Sequence, residues 1–88
     1  MSNLNATLSR ILATNAVEEA RKHFPAFRVN KHVGVLHSYS DLYMVEVTFA
    51  DEKRWETYVP ATGKLEAKAY GIAAWLRFKG IPDDRGGV

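Results

Sequence analysis

The sequence predicts an α+β domain of order α-β-β-β-α, a three-stranded antiparallel meander with two helices packed on one face. Three observations predict it. Apolar residues recur at helical spacing from Leu4 to Phe24, alternate with polar residues through the middle of the chain, and return to helical spacing from Leu65 to Phe78. At 88 residues the chain has surface for a single core, so one domain over residues 1–82 is expected, with 83–88 as a flexible tail.

The first helix is read from Leu4, Leu8, Leu12, Ala16, Ala20 and Phe24, with Ile11 and Val17 widening the stripe. Asn3 or Asn5 can cap its start, and Pro25 ends it by disfavouring helix in the preceding residue. Thr14-Asn15 marks a weak point where a kink or a late start is expected. The first strand is expected from Phe27, because Phe27, Val29, Val33 and Val35 alternate with Arg28, Asn30, His32 and Gly34. His37 to Asp41 supplies a turn. Tyr43, Val45, Val47 and Phe49 make the clearest strand, residues 50–53 a short hairpin connection, and Trp55, Thr57 and Val59 a third strand that Pro60 stops. The last helix opens at Thr62-Gly63 and runs to about Lys79. Gly80 suits the left-handed position past its end, Ile81 packs back, and Pro82 prevents continuation.

Composition narrows the function classes. With 47% hydrophobic and 25% charged residues the chain belongs with ordinary globular proteins, not disordered ones. It has no cysteine, which excludes disulfides and cysteine-ligated zinc. Met1 to Leu4 does not resemble the start of a signal peptide and no apolar run reaches membrane-spanning length, so a cytoplasmic protein without a membrane partner is expected. A net charge of +2 permits a nucleic-acid partner without arguing for one.

The last helix carries two apolar sides. Leu65, Ala69, Ile72 and Leu76 form one, and Ala67, Gly71, Ala74, Trp75 and Phe78 the other. Glycine inside a helix costs about 1 kcal/mol against alanine, so Gly71 suggests close approach of another backbone. Either the sheet and the first helix cover one side each, or Gly71, Trp75 and Phe78 form a homodimer or partner interface.

Catalytic constellations are thin, and no enzyme is expected. His32 and His37 are an odd number of residues apart, so on one strand they point to opposite faces and make a poor metal pair. There is no phosphate loop, nucleophile elbow or paired-carboxylate motif, and no metal or cofactor is expected. The basic residues are more suggestive. Arg21, Lys22, Arg28 and Lys31 cluster around the first helix–strand junction, and Lys64 and Lys68 stand one turn apart where the last helix begins. Lysines there, beside a helix N-terminus, suit phosphate. The competing reading is a solvated charged face, partly balanced by Glu18 and Glu19.

From about Phe27 to Leu76 the chain resembles the double-stranded RNA-binding domain family. The resemblance rests on Phe27 and Val29 opening the first strand, on Gly34-Val35-Leu36-His37 as that family's Gly-Pro-x-His loop, and on the strand Tyr43 to Val47. It also rests on Lys64-Leu65-Glu66-Ala67-Lys68 as its Lys-Lys-x-Ala-Lys helix opening. The loop proline is Val35 here and the second lysine is Leu65. The resemblance implies that His37 reaches a minor groove while Lys64 and Lys68 meet phosphates across the major groove, with recognition by shape. Arg28 to His37 and Leu76 to Ile81 are faintly similar to HicA-type RNA-cleaving toxins, but the Gly-Ser-His signature is missing.

The expected function is therefore a small non-enzymatic nucleic-acid-binding domain for duplex RNA, using His37, Lys64, Lys68 and the Arg21–Lys31 cluster. The alternative is a protein-interaction or inhibitor module of phage or mobile-element type. It would bind a host protein or dimerise through Trp75 and Phe78 or through the outer sheet face bearing Met44, Glu46, Arg54 and Glu56.

Overall fold

The structure, a computed structural model, describes residues 3–50 and 52–81. Its elements are α1 (Asn3–His23), α2 (Val29–His32), β1 (Val33–Tyr39), β2 (Leu42–Val47), β3 (Trp55–Pro60) and α3 (Lys64–Phe78). The expected α-β-β-β-α order holds, with one added helical turn. The tail at 83–88, and Pro82 before it, lie outside the described residues.

Helix α1 is continuous through Thr14-Asn15, without the anticipated break. Its Ala13, Ala16 and Ala20 are buried against Ala69, Ile72 and Leu76 of α3. A face of alanines allows two helices to approach closely, and burial along it outweighs the weak propensity of two polar residues. The first strand begins six residues later than expected. The Arg28 carbonyl accepts from the Lys31 and His32 amides, closing the helical turn α2, and the Arg28 amide donates to His32 Nδ1 at 2.9 Å. The alternation that suggested a strand fails at Lys31, where an apolar residue was required.

The sheet is an antiparallel meander in the order β1-β2-β3. Val33, Val35 and His37 of β1 pair with Val47, Val45 and Tyr43 of β2, which pair in turn with Trp55, Thr57 and Val59 of β3. Tyr43, Val45, Val47 and Val59 are buried beneath α3. The turn joining β1 to β2 is only Ser40-Asp41, after an irregularity between His37 and Tyr39. Ser40 adopts a left-handed φ of 52° there.

Helix α3 is the middle layer. Ala67 and Gly71 lie on the sheet, while Ala69, Ile72 and Leu76 meet α1, so both apolar sides are covered within one chain except at Phe78. An aromatic cluster closes the end of this sandwich. Trp75 lies 5.3 Å from Phe27, 5.2 Å from Phe24 and 5.8 Å from Phe49, measured between ring centroids. The helix then stops as expected: Gly80 has a φ of 87°, its amide bonds the Arg77 carbonyl, and the Ile81 amide bonds the Leu76 carbonyl. That pair of bonds is the glycine-terminated helix end in which two otherwise orphaned carbonyls are satisfied.

Candidate nucleic-acid interface

The aromatic cluster positions a basic groove. Stacking of Phe27 on Trp75 anchors the chain directly after α1, so the following residue, Arg28, projects outward at the start of α2. The Arg28 guanidinium donates to the Pro25 and Phe27 carbonyls, both at 2.9 Å, and is thereby held in place without losing its charge. An open groove of about 350 Å³ lies beside it. Val17, Phe27 and Val29 supply its apolar wall, and Arg21, Arg28 and Lys31 its cations. Among the described residues, none of these three cations forms an ion pair. Lys22 differs, since its ammonium lies 3.9 Å from Glu19, which His23 also approaches at 3.2 Å. Of the four basic residues expected to cluster, the structure gathers three around one groove and leaves Lys22 beside its own acidic neighbour.

The remaining candidates lie at the opposite end of α3. His37 stacks on Tyr43 at 4.7 Å, and Tyr43 shares a buried cluster with Ala67. The Ala61 amide donates to the Asp41 carbonyl at 2.9 Å, fastening the β1–β2 turn to the segment before α3. His37, Lys64 and Lys68 therefore occupy one end of the molecule, and Arg21, Arg28 and Lys31 the other. Helix α3, fifteen residues and about 22 Å long at helical rise, carries Lys64 and Lys68 in its first turns and Trp75 near its end. Lys64 is exposed and Lys68 half-buried, and neither forms an ion pair among the described residues.

Two features temper this second cluster. Gly34 to His37 lies inside β1 and not in a loop, and the His37 ring is engaged in its own hairpin, with Nε2 on the Ser40 carbonyl oxygen. Glu66 already serves the start of α3. Its Oε1 accepts from the Thr62 amide at 2.7 Å and the Thr62 hydroxyl at 2.9 Å, and its Oε2 from the Tyr70 hydroxyl at 3.0 Å. The Thr62 amide bond is the largest influence holding the Glu66 carboxyl below its ordinary value, and the bond to Glu66 raises that of Tyr70.

The expected partner interface is corrected. Gly71 and Trp75 are buried inside the chain, because the sheet occupies the side of α3 that a helical wheel leaves unassigned. Phe78 alone stays open, 64% exposed and leaning on Trp55 at 5.6 Å. A surface that helical spacing could not reveal lies on the other side of the sheet. Register places Leu36, Met44 and Tyr58 side by side across the three strands, with Tyr39, Leu42 and Pro60 as the next row. Leu36 and Tyr58 are each 56% exposed and Tyr39 75%. Beyond them Arg54 bridges Glu46 at 3.7 Å and Glu56 at 3.8 Å.

Among the described residues there is no cluster of three His, Asp or Glu placed to hold a metal, and no helix is long and apolar enough to cross a membrane. No family model matches the chain, and no curated protein or solved structure matches it either.

Proposed function

We propose that the chain is a non-enzymatic nucleic-acid-binding module that holds duplex RNA by its phosphates. The observation that carries this reading is the groove beside α2, where Arg21, Arg28 and Lys31 converge without a carboxylate partner among the described residues. Three exposed cations around one concave surface offer an anion several donors at once, and Arg28 is fixed by two carbonyls before any ligand arrives. The open apolar wall suits the sugar edge of a nucleotide, and Lys64 and Lys68 add a second point of phosphate contact in the first turns of α3. Cations of this kind meet phosphates and not base edges, so recognition on this reading is by shape and charge.

Fluorescence anisotropy with a labelled RNA duplex tests the proposal. Affinity should fall steeply between 50 and 200 mM salt, by about 10-fold or more for three phosphate contacts. Arg28→Glu combined with Lys31→Glu should weaken binding by about 10-fold or more and leave the helical circular dichroism intact. Undiminished binding by that double variant would overturn the assignment.

A second reading, contact with another protein, is favoured by the exposed apolar rows on the outer sheet face. It expects a host protein to co-purify with the parent and to be lost on Met44→Lys with Tyr58→Lys. RNA affinity would then be unchanged.

A further inference from the structure

Strand β1 is an edge without protection. The Thr48 amide donates to the His32 carbonyl at 2.9 Å, and this pairing continues the register of the β1–β2 ladder. Ladder bonds to β2 therefore come from alternate residues, Gly34 and Leu36, while the carbonyls of Val33, Val35 and His37 and the amides of Val35 and His37 point away from the sheet. The Val33 amide closes α2 on the Val29 carbonyl. From Val33 to Tyr39 there is no charged residue and no proline. The other edge, β3, carries Glu56 and Pro60, with Arg54 just before it. Charge and proline are the usual guards against strand pairing, and they are confined to β3. The helices also cover β1 incompletely: its sheet partners Val45 and Val47 are buried, whereas Val33 and Val35 are half-buried and His37 exposed.

We propose that the chain forms a two-fold dimer in which β1 pairs antiparallel with β1 of a second copy, making one six-stranded sheet. The occupant follows from the strand's own chemistry. Because β1 carries no charge, its two-fold copy brings no like charges together, whereas β3 against β3 would bring two Glu56 carboxylates into one seam. A two-fold axis at Val35 sets Val33 opposite His37 of the second copy, so the Val35 amide and carbonyl pair with their counterparts and each His37 amide meets a Val33 carbonyl, while the Val33 amide stays on the Val29 carbonyl. On the outer face the same register places Leu36 over Gly34 of the other copy. That position has room, since the nearest atom to a Cβ on Gly34 is Glu46 Oε1 at 4.0 Å. The guarded β3 edges then close the assembly at two copies, as an isologous contact requires. The Leu36, Met44 and Tyr58 rows of both chains join into one apolar band.

Sedimentation equilibrium of the full chain tests this, at concentrations up to about 100 µM, where micromolar association is resolved. The parent should reach twice the chain mass. Val35→Pro removes an outward amide and no bond to β2, so it should sediment as a monomer with unchanged circular dichroism. Val35→Lys and Val35→Glu should each be monomeric and should dimerise when mixed. A parent that stays monomeric throughout the range overturns the proposal, as does a folded Val35→Pro chain that still dimerises. The inference stands apart from RNA binding, because Arg28→Glu lies outside the strand and should leave the mass doubled.

Discussion

A Cβ at position 71 would lie 2.3 Å from Val45 Cγ1 and 2.6 Å from Val45 Cβ, distances at which something must move. Val45 is itself fully buried at the centre of the sheet, so it has nowhere to go. Gly71→Ala gains about 1 kcal/mol of helix propensity and loses about 1–3 kcal/mol to overpacking. Net destabilisation is expected, with the denaturation midpoint falling by several degrees in a domain of this size. Combining Gly71→Ala with Val45→Ala should destabilise less than the sum of the two single changes, because the second opens the space the first requires. Glu66 governs a different condition. Its folded carboxyl is held below the ordinary value of 4.5, so the stability it contributes is complete above that value and lost as pH falls through the lowered one. The gap in urea midpoint between the parent and Glu66→Gln should accordingly be widest near neutrality and narrow below pH 4.5. Tyr70 acts in the opposite sense, since its raised folded value makes its contribution complete below 10 and lost only at more alkaline pH.

At the scale of elements, the loop between β2 and β3 contains Ala50 at a φ of 58°. An L-residue with a Cβ pays roughly 1–2 kcal/mol in that left-handed region, against roughly 0.5–1 kcal/mol of extra entropy for glycine. Ala50→Gly should therefore raise stability modestly, by up to about 1 kcal/mol, a gain that chemical denaturation can resolve. Gly80→Ala, at a φ of 87° with its amide bonded to Arg77, should do the reverse. Such positions also mark what sequence patterns convey. Helix α3, its glycine stop and the pairing strands β2 and β3 were legible because one period persists through each. Gly80 ends α3 and Pro60 ends β3, whereas β2, with no such residue after it, stops at Val47 and not at the expected Phe49. The start of β1 was not legible, because Phe27 and Val29 are apolar for another reason: Phe27 is a stacking partner of Trp75 and Val29 lines the groove. The interface misplaced onto Gly71 and Trp75 has a similar origin. A helical wheel shows two apolar sides, but only the sheet's position tells which is already occupied. The basic groove was legible because its three cations lie within eleven residues of chain, whereas the row Leu36, Met44 and Tyr58 needs strand register to appear.

Across the whole molecule, the cations fall into two groups at opposite ends of α3, and this separation makes their roles independently measurable. The group formed by Arg21, Arg28 and Lys31 faces an open groove, whereas Lys64 and Lys68 share their helix turn with Glu66. If one duplex spans both ends, each group neutralises its own phosphates and each contributes its own share of released counterions. Reversing Lys64 and Lys68 together should then weaken RNA binding uniformly across sequences and reduce the salt slope by about one unit per lost contact. The Arg28 and Lys31 reversal should act in the same way, and its effect should add to the first in free energy because the sites share no partner. Unchanged affinity and salt slope in the lysine variant would confine the interface to the groove. In that case a duplex is no longer needed to bridge the molecule, and short single strands should bind as tightly as duplexes. Titrating both RNA forms against the parent and the two variants separates a bridging interface from a one-groove interface by slope alone.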